Sequence, residues 1–189
     1  HPKLVFFLVG KNPASVAYVD MKQRACEKIG VSSEILRYDE SVTQEKIIKK
    51  MESFNEDPKV HGMMIQVPLP AHLNVPLITR AISPKKDADG FTAYNFGKMT
   101  LSKDYEDLPP ATPLGIIRLL EAYAIPIEGM EVTVMGRSNL VGKPLAIMLI
   151  NRGATVTVCH SKTKNAKSHC KKADMIIAAT GVPHLISAD

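Results

Sequence analysis

Apolar and polar positions along this chain follow two alternating rhythms. Residues 3–9, KLVFFLV, form a near-continuous apolar run ending at Gly10, the pattern of a strand buried on both faces. Asn12 and Pro13 then read as the cap and first position of a helix, and 14–28 has helical composition. Residues 33–38 predict a second strand. Residues 43–54 predict a second helix, with Thr43 as cap and Glu45 in its first turn. GMMIQV at 62–67 predicts a third strand, broken by Pro68 and Pro70, and 75–82 a short helix. This β–α–β–α–β–α order implies a parallel sheet with right-handed crossovers.

Residues 83–113 leave both rhythms. They contain Pro84, Asp87, Asp89, Gly90, Gly97, Pro109, Pro110 and Pro113, and predict a long functional loop followed by a hinge. A helix over 113–123, with Thr112 as its cap, leads into a second series: strand 131–135, helix 138–151, strand 154–159, helix 163–172 and strand 174–179. That is half of a doubly wound fold. The pattern predicts an α/β chain of two lobes, an N-terminal parallel α/β domain over 1–110 and a Rossmann-like dinucleotide-binding domain over 111–189. The chain opens at His1 almost directly into its first strand and stops at Asp189, so both ends read as cut.

Composition narrows the function classes. With 189 residues, 45% hydrophobic and 23% charged, the chain has enough apolar mass for packed cores, and its balance is not that of a disordered segment. A net charge of +5 suits phosphate-bearing small molecules and does not call for nucleic acid. The three cysteines form no CxxC pair and read as free thiols in a reducing, cytoplasmic compartment. The six histidines show no HExxH or similar spacing, so no metal site is expected. No apolar run is long enough to cross a bilayer, and no signal peptide is visible.

Candidate chemistry gathers at the carboxyl ends of the predicted strands, where open parallel sheets bind ligands. In the first lobe, the helix after strand one carries Ser15, Tyr18 and Lys22, with Tyr18 and Lys22 four residues apart on one face. Gln66 closes the third strand, and Asp87 and Asp89 lie in the glycine-containing loop. A lysine facing a dry pocket can give or take a proton near neutral pH. Taken singly, Lys22 is also compatible with a solvated surface lysine, Tyr18 and Gln66 with packing and strand capping, and the aspartates with plain turn formers. Their joint placement is what points to a site.

In the second lobe, Gly136 closes a strand, Gly142 follows six residues later and Pro144 lies early in the next helix. Glycines let a backbone approach a pyrophosphate, and a helix N-terminus supplies amide donors. The spacing is not G-x-G-x-x-G, and an ordinary strand–turn–helix corner also fits it. The following strand ends in His160, Ser161, Lys162 and Thr163, with no acidic residue to bind a ribose 2′-hydroxyl. Hydroxyls and cations there, with Arg137 in the first turn, favour a 2′-phosphate and so NADP over NAD. Thr180 and Gly181 close the third strand, beside the cofactor or as a plain turn. The lysines at 164, 167, 171 and 172 fit a solvated helix face.

These motifs, NPASVAYVDMK (12–22), HGMMIQVPLP (61–70), PKKDADGF (84–91), PATP (110–113), GRSNLVGKP (136–144) and ATVTVCHSKT (154–163), resemble in order the bifunctional methylenetetrahydrofolate dehydrogenase/methenyltetrahydrofolate cyclohydrolase family. The resemblance implies NADP-dependent oxidation of 5,10-methylenetetrahydrofolate and hydrolysis of the product to 10-formyltetrahydrofolate, within one-carbon metabolism and purine biosynthesis. It implies that Lys22 is the essential lysine, Tyr18 stacks on the pterin, Gln66 tunes the lysine and Asp89 hydrogen-bonds the pterin. Ser15, Val67 and Pro68 fall on the substrate side. Gly136, Arg137, Ser138, Val141, Gly142, Pro144, His160, Ser161, Thr180 and Gly181 fall on the cofactor side. A homodimer is implied as well. Ala111 stands where many members carry cysteine, and the family's opening helix and the segments after the third strand of its cofactor domain are not in this sequence. Two other classes compete: another two-domain NADP-dependent dehydrogenase, shikimate-like, and a non-catalytic basic nucleotide-binding module.

Overall fold

The central apolar run becomes the middle strand of the first sheet. In the computed structural model, which describes residues 1–187, β1 (Lys3–Val9) lies between β2 (Ser32–Tyr38) and β3 (Gly62–Ile65), all parallel. Residues 188 and 189, the last two of the second predicted domain, lie outside the described residues. Three helices connect and cover this sheet: α1 (Pro13–Lys28), α2 (Gln44–Glu56) and α3 (Val75–Arg80).

Strand alternation sorts the apolar side chains onto two faces. Val5, Phe7, Val9, Met63 and Ile65 pack with Ile47, Met51 and Phe54 of α2 and Ile78 of α3. Phe6, Leu8 and Met64 pack with Val19 and Cys26 of α1. A middle strand covered on both faces must be apolar at every position, which is why β1 reads as a run. Truncating a fully buried ring such as Phe7 to alanine costs about 3–5 kcal/mol. Asn12 caps α1 by accepting Ser15 N at 3.1 Å, and Thr43 caps α2 by accepting Lys46 N at 3.3 Å, both as expected. The third strand stops at Ile65, short of the expected Val67. Gln66 N still donates to Phe7 O at 2.8 Å, but Pro68 has no N–H to continue.

The first compact unit ends at Ala93, and the second runs from Tyr94 onward. The second contains α5 (Ala111–Ala122), β4 (Glu131–Met135), α6 (Gly142–Ile150), β5 (Thr155–Cys159), α7 (Ala166–Lys172) and β6 (Met175–Ala178), with parallel strand order β5-β4-β6. Val132 and Val134 of β4 pack against Leu145, Met148 and Leu149 of α6 and Ile117 and Leu120 of α5. Two parallel α/β sheets agree with the fold class read from the sequence.

The stretch at 83–113 is not one long loop. It contains α4 (Ala93–Met99) and two short 3-10 turns, Pro84–Lys86 and Lys103–Tyr105. Met99 enters the second core, and Arg152, after α6, pairs with the buried carboxylate of Glu106 at 2.9 Å. Glycine and proline punctuation hid the helix, which tertiary packing secures. The cap of α5 is Pro110, not Thr112: the helix begins at Ala111, Leu114 N donates to Pro110 O, and no side chain caps it. α6 starts at Gly142 rather than 138, because Ser138 Oγ closes a turn by accepting Val141 N (3.1 Å) and Gly142 N (3.3 Å). α7 starts at Ala166 rather than 163, after Asn165 takes a left-handed conformation at φ 53°.

Candidate active site

α1 begins three residues past Gly10, whose φ of 78° turns the chain out of β1. Ser15, Tyr18 and Lys22 therefore share a helix face beyond the strand's carboxyl end. Ser15 is buried near the start of α1, and Tyr18 is half-exposed. The Lys22 ammonium lies 5.1 Å from the Tyr18 ring centroid.

The ammonium's hydrogen-bond acceptor is Met64 Sδ, at 3.4 Å. Alternation explains the encounter: Met63 turns toward α2, so Met64 turns toward α1. Burial lowers the proton affinity of Lys22 from its ordinary value, and the Asp89 charge partly opposes this. Asp89 is pushed up to about 6, first by burial and further by Asp87, with Lys22 pulling the other way. Lys22 thus gives up its proton more readily than an ordinary lysine, and Asp89 keeps its proton more firmly than an ordinary aspartate, a pairing suited to acid–base work.

Gln66, two residues beyond Met64, donates Nε2 to Val67 O at 2.8 Å. Its Oε1 is buried with no hydrogen-bond partner among the described residues. An unpaired buried acceptor is a place where a donor is wanted. The Lys22 ammonium donates to Met64, and the Gln66 amide to its own neighbour Val67. Val67 is half-buried and Pro68 exposed, directly after Gln66.

Asp87 is 1% exposed and does not face the lysine as an open ligand. Its carboxylate accepts Phe91 N at 3.2 Å and Thr92 N at 2.8 Å, closing the turn that carries Asp89. Met64 as acceptor and Asp87 as clamp are what sequence reasoning missed. A thioether inside an apolar run carries no visible polar signal.

The second unit gathers its candidates at the ends of β4, β5 and β6. Gly136 follows β4 at φ 128°, and a Cβ there would lie 2.3 Å from Ala179 O. A Cβ on Gly142 would lie 2.1 Å from Gly136 O. Both glycines are therefore required by backbone-to-backbone approach, and Ser138 holds the first amides of α6, its Oγ taking Val141 N and Gly142 N and its carbonyl taking Lys143 N at 3.0 Å. Pro144 is buried within the first turn of α6, where its missing N–H costs nothing. Arg137 and Ser138 are exposed, and Val141 is half-buried directly before α6.

Beyond β5, His160 Nδ1 accepts Lys162 N at 3.1 Å, which places the proton of a neutral ring on Nε2. Thr163 Oγ1 accepts His160 N at 2.9 Å, so this hydroxyl holds the turn. Ser161 and Lys162 are exposed beside it, and Thr180 and Gly181 follow β6. A 2′-phosphate fits this set: cations and hydroxyls stand where an acid would repel it. Among the described residues no group of three His, Cys, Asp or Glu side chains could hold a metal ion.

Known proteins share these features. The family described as tetrahydrofolate dehydrogenase/cyclohydrolase matches twice, its catalytic domain over residues 1–89 and its NAD(P)-binding domain over residues 110–189. Bifunctional protein FolD of Methanosarcina barkeri is 47% identical over 188 residues, covering 100% of this chain and 65% of that protein. The FolD methylenetetrahydrofolate dehydrogenase/cyclohydrolase structure from Campylobacter jejuni is 43% identical with a TM-score of 0.93, over 97% of this chain and 65% of that one. The Trypanosoma brucei enzyme, solved with NADP cofactor and inhibitor, is 31% identical with a TM-score of 0.93, over 98% of this chain and 63% of that one. The chain thus spans just under two thirds of these relatives' length. Shikimate 5-dehydrogenase of Thermus thermophilus, 16% identical with a TM-score of 0.51, shares the fold alone.

Proposed function

The chain belongs to the tetrahydrofolate dehydrogenase/cyclohydrolase family, and on that premise we propose that it oxidises 5,10-methylenetetrahydrofolate with NADP and hydrolyses the methenyl product to 10-formyltetrahydrofolate. The observation that carries this reading is the half-buried Lys22 ammonium set among Tyr18, Met64 and Asp89 at the ends of parallel strands.

NADP, when bound, supplies the hydride acceptor. Arg137, Ser161 and Lys162 favour its 2′-phosphate, and the side-chain-free corner at Gly136 and Gly142, held closed by Ser138 and Val141, favours close approach of its pyrophosphate to the backbone. His160, Pro144, Thr180 and Gly181 complete that surface. On the folate side, the Tyr18 ring offers a flat face to the pterin. Asp89, with its raised proton affinity, is suited to hydrogen-bond the pterin's N–H groups in either protonation state. Ser15, Val67 and Pro68 shape the rest of the pocket.

The hydrolytic step asks more of the chain. Water adds its oxygen to the electrophilic one-carbon bridge, a proton leaves that oxygen, and the ring nitrogen takes a proton as its C–N bond breaks. Lys22, its proton affinity lowered by burial, is the group suited to accept and return that proton. Gln66 Oε1 can hold the ammonium when it forms. The three free thiols suit a reducing cytoplasm, and no described helix is long and apolar enough to cross a membrane. A homodimer belongs to the same reading.

Lys22→Met keeps most of the side chain's length and removes its proton. The expected result is a fall in methenyltetrahydrofolate hydrolysis of about 100-fold or more, with NADP affinity unchanged. Full retention of hydrolysis removes Lys22 from the mechanism.

A further inference from the structure

The PKKDADGF segment is held more firmly than a connection between elements requires. Asn55 of α2 bridges two of its approaching backbone groups, Nδ2 donating to Ala81 O at 2.8 Å and Oδ1 accepting Ser83 N at 2.9 Å. Lys86 Nζ donates to the carbonyls of Phe54 and Asp57, each at 2.7 Å, where α2 ends. Asp87 forms an isolated parallel bridge with Met63, and Ala88 N donates to Met63 O at 3.2 Å. The segment is therefore fastened to the sheet one residue from Met64, the acceptor of the Lys22 ammonium.

Past that point the chain must turn back, and Gly90 provides the turn at φ 68°. The turn is closed from inside by Asp87, whose two carboxylate oxygens take the Phe91 and Thr92 amides. A carboxylate this deeply buried is retained where its oxygens are matched by donors, and charge-assisted bonds to backbone amides are the strong kind. Asp89 stands between the bridge at Asp87 and the clamp at 91–92. The charges that act on it are Lys22 from α1 and Asp87 from its own turn.

We propose that Asp87 is a positioning residue of the folate site: by accepting two amides of its own turn, it fixes the 87–92 backbone and so sets where Asp89 stands relative to Lys22. A plain turn former would hold the backbone without setting how strongly Lys22 acts on Asp89. The inference rests on the reading of Lys22 and Asp89 as the substrate-side pair, but it is measured without any turnover.

The test uses the full chain, isotopically labelled, with carboxyl-carbon titrations and amide hydrogen exchange followed by NMR. Asp87→Asn keeps the shape and one acceptor oxygen and removes the charge. The expected result is exchange at Phe91 and Thr92 about ten-fold faster or more, and an Asp89 midpoint whose response to Lys22→Met is at least about two-fold smaller with Asp87→Asn than without it, a coupling that the lost Asp87 charge does not itself alter. A response of the Asp89 midpoint to Lys22→Met that is the same with and without Asp87→Asn, whatever the amides do, overturns the proposal. Should the variant not fold, the unaltered chain still decides: the Phe91 and Thr92 amide-proton shifts must follow the Asp87 carboxyl titration, and amides that ignore it overturn the proposal. A failed Lys22→Met activity test leaves these readouts untouched, so the two ideas fail separately.

Discussion

Lys22 and Asp89 each carry the cost of partial burial, and each eases the other's. Asp89 has its proton affinity raised from 3.8 to about 6, so the folded chain favours its protonated form. The stability this gives is complete below about pH 3.8 and is lost as pH rises through 6. An asparagine there has no such dependence. Relative to Asp89→Asn, the unaltered chain is expected to lose about 2 kcal/mol of stability between pH 4 and pH 7, read by urea unfolding at both values. A difference that does not change with pH contradicts the burial of this carboxyl. At this scale Tyr18 and Lys22 were legible, because an i,i+4 spacing on a helix has one geometric meaning. Met64 was not legible: its role depends on which way a buried strand faces, and residues 62–65 are apolar on both faces.

At the scale of elements, the β4–α6 corner is set by two glycines whose missing side chains let backbone meet backbone. A Cβ at Gly142 would lie 2.1 Å from Gly136 O, an atom that cannot swing aside. Gly142→Ala is therefore expected to destabilise this corner by about 1–3 kcal/mol, seen as faster amide exchange in β4 and α6. Wild-type exchange there contradicts the close approach. The strands and long helices were legible from period and caps, since each buries a face whose spacing is fixed. Their ends were less so. α6 begins late because Ser138 Oγ takes two amides into a turn, and α4 was hidden because Gly97 and flanking prolines mask a helix that its contacts with the second core stabilise. Sequence period reports burial; it does not report which hydroxyl closes which turn.

At the scale of the molecule, the chain is two compact units, each with its own parallel sheet and its own apolar core. The first carries a lysine and an aspartate of displaced proton affinity, and the second a glycine corner with cations in place of an acid. The proposed reaction needs both, the first for a reduced folate and the second for a phosphorylated nicotinamide nucleotide. The motifs at 12–22, 61–70, 136–144 and 154–163 fall at strand ends, where a parallel sheet binds ligands, and that much was legible from sequence. The most direct measurement is the rise in reduced nicotinamide absorbance when the chain is given 5,10-methylenetetrahydrofolate with NADP and, separately, with NAD. The account predicts reduction with both the folate and the nucleotide required and with NADP preferred; no reduction of either nucleotide would contradict it.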